Sequence, residues 1–399
     1  MQHDDNPPAP AAAPRRPFVP PDPLGWFDAA RETTPVLWHP QTASWYVTRY
    51  ADVWDLLADN RLLARTPEPF LEELTEEQRT AAAPLVDFLA RWPMFLDPPR
   101  HAVVRRVVRP AFAPAEVTRV AAVVRAGLPA GALLPDGPDG AADLLDSLLR
   151  PACEAALGGL LGVSREELSL LAAWSGRLMG FVGRQTRLAT ILAAREALDL
   201  FTDFVERACL ARTSPLAIAV DRAVRDGSLT RTDAVAVYAQ LVTGALEPTV
   251  ATLAVALEQL TADPGLRDGY RADPDGFVTE AVRLATPFHF APRRAATEIV
   301  LRDQRIPAGD RVVLVLVAAN RDPRQFPDPL EFRWDRRLPH VAFGRGRHAC
   351  LGRPMAHQVL RAVLDAVLSG PQEPPRISAE WEIGMGMRAL RRVGQAVVS

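Results

Sequence analysis

Chemistry in this 399-residue chain is easiest to build around Cys350. The thiol sits in a glycine-punctuated loop, Phe343-Gly344-Arg345-Gly346-Arg347-His348-Ala349-Cys350-Leu351-Gly352, and the run from Arg353 to Leu368 carries apolar residues at helical spacing. A cysteine at a helix start meets backbone N–H groups and the positive helix end, which favour the thiolate, the form in which sulfur binds metal. Gly344, Gly346 and Gly352 permit tight turns and close approach by a flat ligand, while His348 and the arginines offer donors to anions. The set suits a planar, dianionic, iron-bearing ligand. Taken alone, the same thiol reads as a buried structural cysteine beside an ordinary Gly/Arg turn.

Three other groupings have spacing that matters. His101 and Arg105 are four residues apart after Asp97-Pro98-Pro99, so they share a helix face with Arg106 and Arg109 nearby; the face is either solvated or an anion site. Glu280 and Arg283 stand three apart on a short helix. Within an apolar run from Thr232 to Leu260, the stretch Gly244-Ala245-Leu246-Glu247-Pro248-Thr249 sets an acid and a proline in mid-helix. Both are locally unfavourable there, and such breaches gather at functional sites.

The elements that carry these groups are mostly helical. A 48% apolar, 24% charged composition describes a soluble globular chain with a large core. The net charge of −2 gives no reason to expect nucleic acid or an anionic membrane as partner, and every basic residue in the Lys+Arg count is arginine. Three scattered cysteines, Cys153, Cys209 and Cys350, argue against a disulfide framework and for a reducing compartment. With no apolar run of the roughly 20 residues that span a bilayer and no signal-peptide core, a cytoplasmic monomer is expected. Residues 1–23, with eight prolines, read as a flexible leader, and 24–399 as one domain. Short helices are expected over 24–31 and 51–58, a small hairpin over 35–48, a long binding loop or lid over 60–99, and helices from 114 to 260. A helix over 275–284, strands over 294–301 and 311–317, an irregular stretch over 322–339 and short strands near the C-terminus complete the order.

The cysteine loop resembles the haem-ligand loop of the cytochrome P450 family, Phe-Gly-x-Gly-x-His-x-Cys-x-Gly, at every fixed position. Glu280-Ala281-Val282-Arg283 resembles that family's Glu-x-x-Arg helix, and Phe332 to Arg336 the segment that brings a second arginine, Arg336, to the same carboxylate. Asp97 to Phe112 is similar to the family segment whose histidine and arginine, here His101 and Arg105, hold haem propionates; His348 matches a further partner, as does Arg293, with its neighbour Arg294 as the alternative. Four donors for two buried carboxylates is chemically sensible. The resemblance covers about residue 24 to the C-terminus. It implies a mainly α body with a smaller β-rich part and haem b (iron protoporphyrin IX) between the long central helix and the helix after Cys350, which supplies the axial thiolate; Phe343 and Gly344 belong to the same cradle. It also implies oxygen activation with electrons from a separate ferredoxin or flavodoxin, for which Arg105, Arg106, Arg109, Arg345, Arg347 and Arg353 form a candidate basic face.

The chain departs from that pattern at one position. Where the family has an acid followed by a proton-relaying threonine, it has Glu247 followed by Pro248, which deletes the hydroxyl and should kink the helix. Protons would then come through Glu247 and water, through Thr249, or through a substrate hydroxyl. Two enzymatic readings follow: a monooxygenase with a rerouted relay, or an oxidative coupling, desaturation or peroxide-driven enzyme; a catalytically silent partner protein is the non-enzymatic alternative. By resemblance the substrate pocket draws on Phe88, Trp92 and Phe95, on Met179 and Val182, on Leu241, Gly244 and Ala245, and on Phe288, His289 and Phe290. That wall suits a small apolar or aromatic compound of secondary metabolism. His289 either orients a polar group of it or serves the core.

Overall fold

The computed structural model describes residues 20–67, 71, 74–128, 143–182, 187–370 and 373–395. Most of the expected leader lies outside these residues. Helix α1 (Pro23–Thr33), capped by Asp22, leads into strands β1 (Val36–His39) and β2 (Ser44–Val47), helix α2 (Tyr50–Leu57) and strand β3 (Leu62–Ala64). The stretch 60–99, read as a loop, also holds α3 (Glu76–Leu89), because Thr75 and Gln78 form a reciprocal capping box at its start. Then come α4 (Arg100–Val108), α5 (Pro114–Gly127), α6 (Arg150–Leu161), α7 (Arg165–Val182), α8 (Leu188–Phe204) and α9 (Pro215–Arg225).

Helix α10 (Arg231–Ala262) is the axis of the molecule. It packs against α6, α7, α11 (Pro264–Ala272), α12 (Pro274–Ala285) and α14 (Arg353–Leu368). Thr230 and Asp233 cap its start reciprocally. Contrary to the sequence reading, α10 is long and apolar enough to cross a membrane by length and composition; 56% of that window is buried inside the protein, as in a core helix. Pro248 does not end the helix. A mid-helix proline costs about 3 kcal/mol, whereas each buried Val or Leu returns about 1.5–3 kcal/mol, and Val250, Leu253, Leu257 and Leu260 are all fully buried beyond it. Packing outweighs the missing bond, and the expected kink does not break the element.

The β part is built from distant segments. Strands β4 (Phe290–Ala295) and β7 (Arg311–Val315) join the N-terminal strands in the order β1-β2-β7-β4-β3, with β2 and β7 parallel and the other pairs antiparallel. The strand expected over 294–301 is divided: β5 (Ile299–Leu301) turns at Arg302 and Asp303, both with positive φ, and pairs instead with β6 (Gln304–Ile306). Helix α13 (Leu316–Ala319) follows β7, and the hairpin of β8 (Ile377–Ile383) and β9 (Arg388–Gln395) closes the described chain.

Candidate active site

Backbone bonds shape the cysteine loop before any ligand is considered. Cys350 N–H donates to the Phe343 carbonyl at 2.9 Å, and Gly344 N–H to Val341 at 2.8 Å. Gly344 and Gly346 have φ of +66° and +72°, and a Cβ at Gly346 would lie 2.9 Å from Ala58 Cα and from the Leu57 carbonyl oxygen. Glycine is required at 346 on both counts. Cys350 is accessible to solvent although protein atoms crowd it enough for burial to dominate its thiol, the combination expected of a group on the wall of an internal hollow. Burial raises that thiol's pKa, against the Gly352 and Arg353 N–H groups and the charges of Arg105 and Arg353. The N–H groups favour the thiolate as expected, burial opposes them, and a bound cation is what deprotonates such a sulfur.

Beside the loop lies a cluster of basic side chains short of counter-charge. The rings of His101 and His348 stand 4.2 Å apart, and His348 Nε2 is buried without a partner. Strand β4 brings Arg293 between Val312 and Ala64, and its Nη1 donates only to the neighbouring Pro292 carbonyl among the described bonds. Arg105, on α4, donates to the Ala349 carbonyl at 2.8 Å. Burial first, then the charge of Arg105, pushes His101 down to about 4; burial and Arg293 push His348 down to about 3. Burial likewise brings Arg293 down to about 10, with Asp97 opposing and Arg347 adding to the fall. Asp97 is the carboxylate acting on His101 and Arg293, and it is occupied by the Ala64 N–H and by Arg347 at 3.6 Å. Groups held this close and forced toward neutrality are a receptor for an anion of more than one charge. The donor set fits the two propionates of a haem, and Arg293 rather than Arg294 faces it.

Buried α10 opens along one stripe. Leu241, Ala245 and Pro248 are half-buried and Gly244 is exposed; a Cβ at Gly244 would meet nothing within 4 Å. Thr249 lies about 100° around the helix from Pro248, and its hydroxyl donates to the Ala245 carbonyl at 2.7 Å. Glu247 accepts from Arg150 Nη1 at 2.8 Å. Both hydroxyl and carboxylate near the groove are therefore engaged elsewhere.

The pocket residues divide. Phe288 is exposed and Phe290 and Val182 half-buried, and Met179 is exposed on α7. Phe88, Trp92 and Phe95 are buried in the core, and His289 has no accessible surface: its Nδ1 meets the Met385 carbonyl at 3.1 Å, and Phe27 stands edge-on to it. His289 serves the core and does not reach a substrate in this conformation. Sequence reasoning missed the turn of the β8–β9 hairpin, where His289 N–H donates to Gly386 at 2.9 Å and Met387 bridges to Phe288. Glycines alternating with Met385 and Met387 between two strand patterns were the available signal.

Under the loop, Glu280 is fully engaged. Arg283 binds it through two bonds of 2.8 and 2.7 Å, Arg336 through one of 3.0 Å and the Arg333 N–H through one of 3.1 Å. The guanidiniums in turn donate to the Asn320, Pro329 and Asp328 carbonyls, fixing the irregular 322–339 stretch.

An accessible thiol in a glycine loop with a basic cradle beside it has the features of a haem-thiolate site. The cytochrome P450 family profile matches residues 275–370. Cytochrome P450-SU2 of Streptomyces griseolus is 32% identical over 89% of this chain and 88% of its own. The methyl-branched lipid omega-hydroxylase of Mycobacterium bovis is 27% identical over 86% and 82%. The tirandamycin C-bound P450 monooxygenase TamI superposes with a TM-score of 0.74 at 30% identity, covering 88% of this chain and 89% of that one. The chain belongs to the cytochrome P450 family, whose members carry haem with a cysteine thiolate as axial ligand, and it is an enzyme of the monooxygenase kind.

Proposed function

We propose that this enzyme holds haem b through Cys350, with His101, Arg105, Arg293 and His348 on its propionates, and oxidises a small, largely apolar organic substrate. When bound, the haem activates dioxygen, its thiolate favouring O–O cleavage. The observation that carries the reading is the cluster of His101 and His348, rings 4.2 Å apart, with Arg293 and Arg105 beside them and His348 Nε2 buried without a partner. The protein's own residues orient the group and exclude water: the glycines of the loop admit a flat face, and the Phe288–Phe290 wall presents apolar surface to a substrate. A methyl-branched lipid and tirandamycin C are named for two relatives, and the hydrocarbon of the first suits such a wall. A product of secondary metabolism is the class we favour.

Electrons come from a separate redox protein. Arg105, Arg345 and Arg347 are turned inward, to Ala349, Trp54 and Asn60 respectively, whereas Arg106, Arg109 and Arg353 are exposed. These three supply a basic face for an acidic ferredoxin or flavodoxin. The enzyme works as a cytoplasmic monomer.

Pro248 supports a second feature. With Glu247 held by Arg150 and Thr249 by Ala245, water or a hydroxyl on the substrate itself brings the proton; oxidative coupling or desaturation, which make different demands on that proton, is the alternative outcome. The reading is tested on the purified, haem-loaded protein. The reduced, carbon-monoxide-bound spectrum should show thiolate ligation, Cys350→Ser should reduce that band and turnover to background, and apolar candidates should shift the ferric spectrum. An unaltered spectrum in the serine variant would overturn it.

A further inference from the structure

Asn320 sits where the wall and the cysteine loop come within two side-chain bonds of each other. Helix α12 ends at Thr286, whose φ of +29° lies in the left-handed region that β-branched residues rarely adopt and glycine adopts freely. What threonine adds there is a hydroxyl. It is fully buried and donates to the Arg283 carbonyl at 2.5 Å, so toward Asn320 it can only accept, at 2.8 Å from Nδ2. That direction fixes the amide. Its Oδ1 faces the Val341 N–H at 2.8 Å, and its backbone carbonyl accepts from Arg283 Nη1 at 2.7 Å. Asn320 is itself fully buried, and its side-chain nitrogen and oxygen each have a partner.

Each end of this bridge leads somewhere. Thr286 is followed by Pro287 and the Phe288–Phe290 wall. Val341, also fully buried, accepts the Gly344 N–H and stands two residues before Phe343, whose carbonyl holds the Cys350 N–H. A backbone tolerating an unfavourable φ at Thr286 is kept there because surrounding bonds over-determine it.

We propose that Asn320 is a positioning residue that couples the Phe288–Phe290 wall to the cysteine loop through Thr286 and Val341, so that seating an apolar ligand on the wall and keeping sulfur on iron are linked. The proposal rests on the haem-thiolate reading. It does not use catalytic contact by Asn320, which touches neither substrate nor cofactor.

The test uses haem-loaded protein and follows the rate at which the reduced, carbon-monoxide-bound form loses its thiolate band in mild urea. Thr286→Val, which keeps shape and removes the hydroxyl, should speed that loss about tenfold, the effect of one buried hydrogen bond; Thr286→Ser should behave like the parent. Asn320→Leu should do at least as much, and adding Thr286→Val to it should change little. An apolar ligand that shifts the ferric spectrum should slow the loss in the parent and fail to do so in either variant. Thr286→Gly separates bonding from backbone relief: loss as fast as in Thr286→Val supports the bridge, and parent-like behaviour overturns it. Leu216→Ala, a core truncation in α9, controls for general weakening. The proposal falls if that control loses the band as fast at matched unfolding midpoint, or if the Thr286 and Asn320 effects add independently. A parent with no thiolate band would instead overturn the haem-thiolate reading and this proposal with it.

Discussion

The cysteine loop and the groove of α10 are built in opposite ways. Behind the loop one carboxylate ties the chain together: Glu280 takes bonds from two guanidiniums and a backbone N–H, and those guanidiniums pin two carbonyls of the irregular stretch and that of Asn320. Along the groove the protein withdraws. Gly244 opens onto space, Pro248 offers no donor, and Glu247 and Thr249 are tied to Arg150 and Ala245. Rigidity on the sulfur side holds an axial ligand whose thiol is otherwise raised by burial. Absence of fixed donors on the other side leaves the proton route to whatever enters.

The largest effect should come from breaking the over-determined side. Glu280→Ala would leave Arg283 and Arg336, 2% and 8% exposed, as uncompensated buried charges, at a cost of about 3–5 kcal/mol. Urea midpoint and haem content should both fall sharply, with Glu280→Gln intermediate. A loss under about 1 kcal/mol would mean that the arginines find other partners, and that the sulfur side is no more constrained than the groove.

A second test uses protons. Burial holds His289 and His357 down to about 4 and His340 to about 3, the last two flanking Phe343 at ring distances of 5.8 and 6.0 Å. Above about pH 6.5 these histidines are neutral folded or unfolded and contribute no pH dependence. Between about 6.5 and 4 the unfolded chain binds protons that the fold refuses, so stability falls as pH falls, by at most about 1.4 kcal/mol per unit for each histidine. Denaturant midpoints at pH 7.5 and 5.5 should show the fall, and His340→Phe should lessen it. A flat profile would mean that these imidazoles gain partners on protonation and that the packing behind the loop is looser than its geometry.

Much of this contrast was legible in the sequence where local chemistry decides it. The spacing of Phe343 to Gly352 fixes a loop because its glycines must take positive φ, and Glu280 with Arg283 share a face because helices repeat every 3.6 residues. Period-2 alternation on β4 is what turns Arg293 toward the histidines and Arg294 away. Less legible was whatever depends on partners distant in the chain. Glu247's tie to Arg150 spans 97 residues, the core burial of His289 depends on Phe27 and Met385, and the bridge at Asn320 needs Thr286 and Val341 together. The 294–301 strand is divided at 296–298, and β5 then turns back at Arg302 and Asp303, two consecutive positive φ values at residues other than glycine, which propensity does not foresee.

The smallest and sharpest test lies in the groove itself. Pro248→Thr places a hydroxyl on the accessible stripe, where the carbonyl of Gly244 has no N–H donor from position 248, and it also restores that donor. If the groove lacks only a fixed proton source, product formed per electron pair supplied should rise several-fold with product identity unchanged. Thr249→Val is the matched control: its hydroxyl points about 100° away and is spent on Ala245, so removing it should change coupling by less than about twofold, the scale of a partly exposed neutral hydrogen bond. A large loss in Thr249→Val would show that this hydroxyl leaves Ala245 during turnover and that the groove keeps a relay of its own. No gain in Pro248→Thr, with Thr249→Val silent, would leave the substrate as the proton carrier and make its hydroxyl, rather than any residue of α10, the group that decides the outcome.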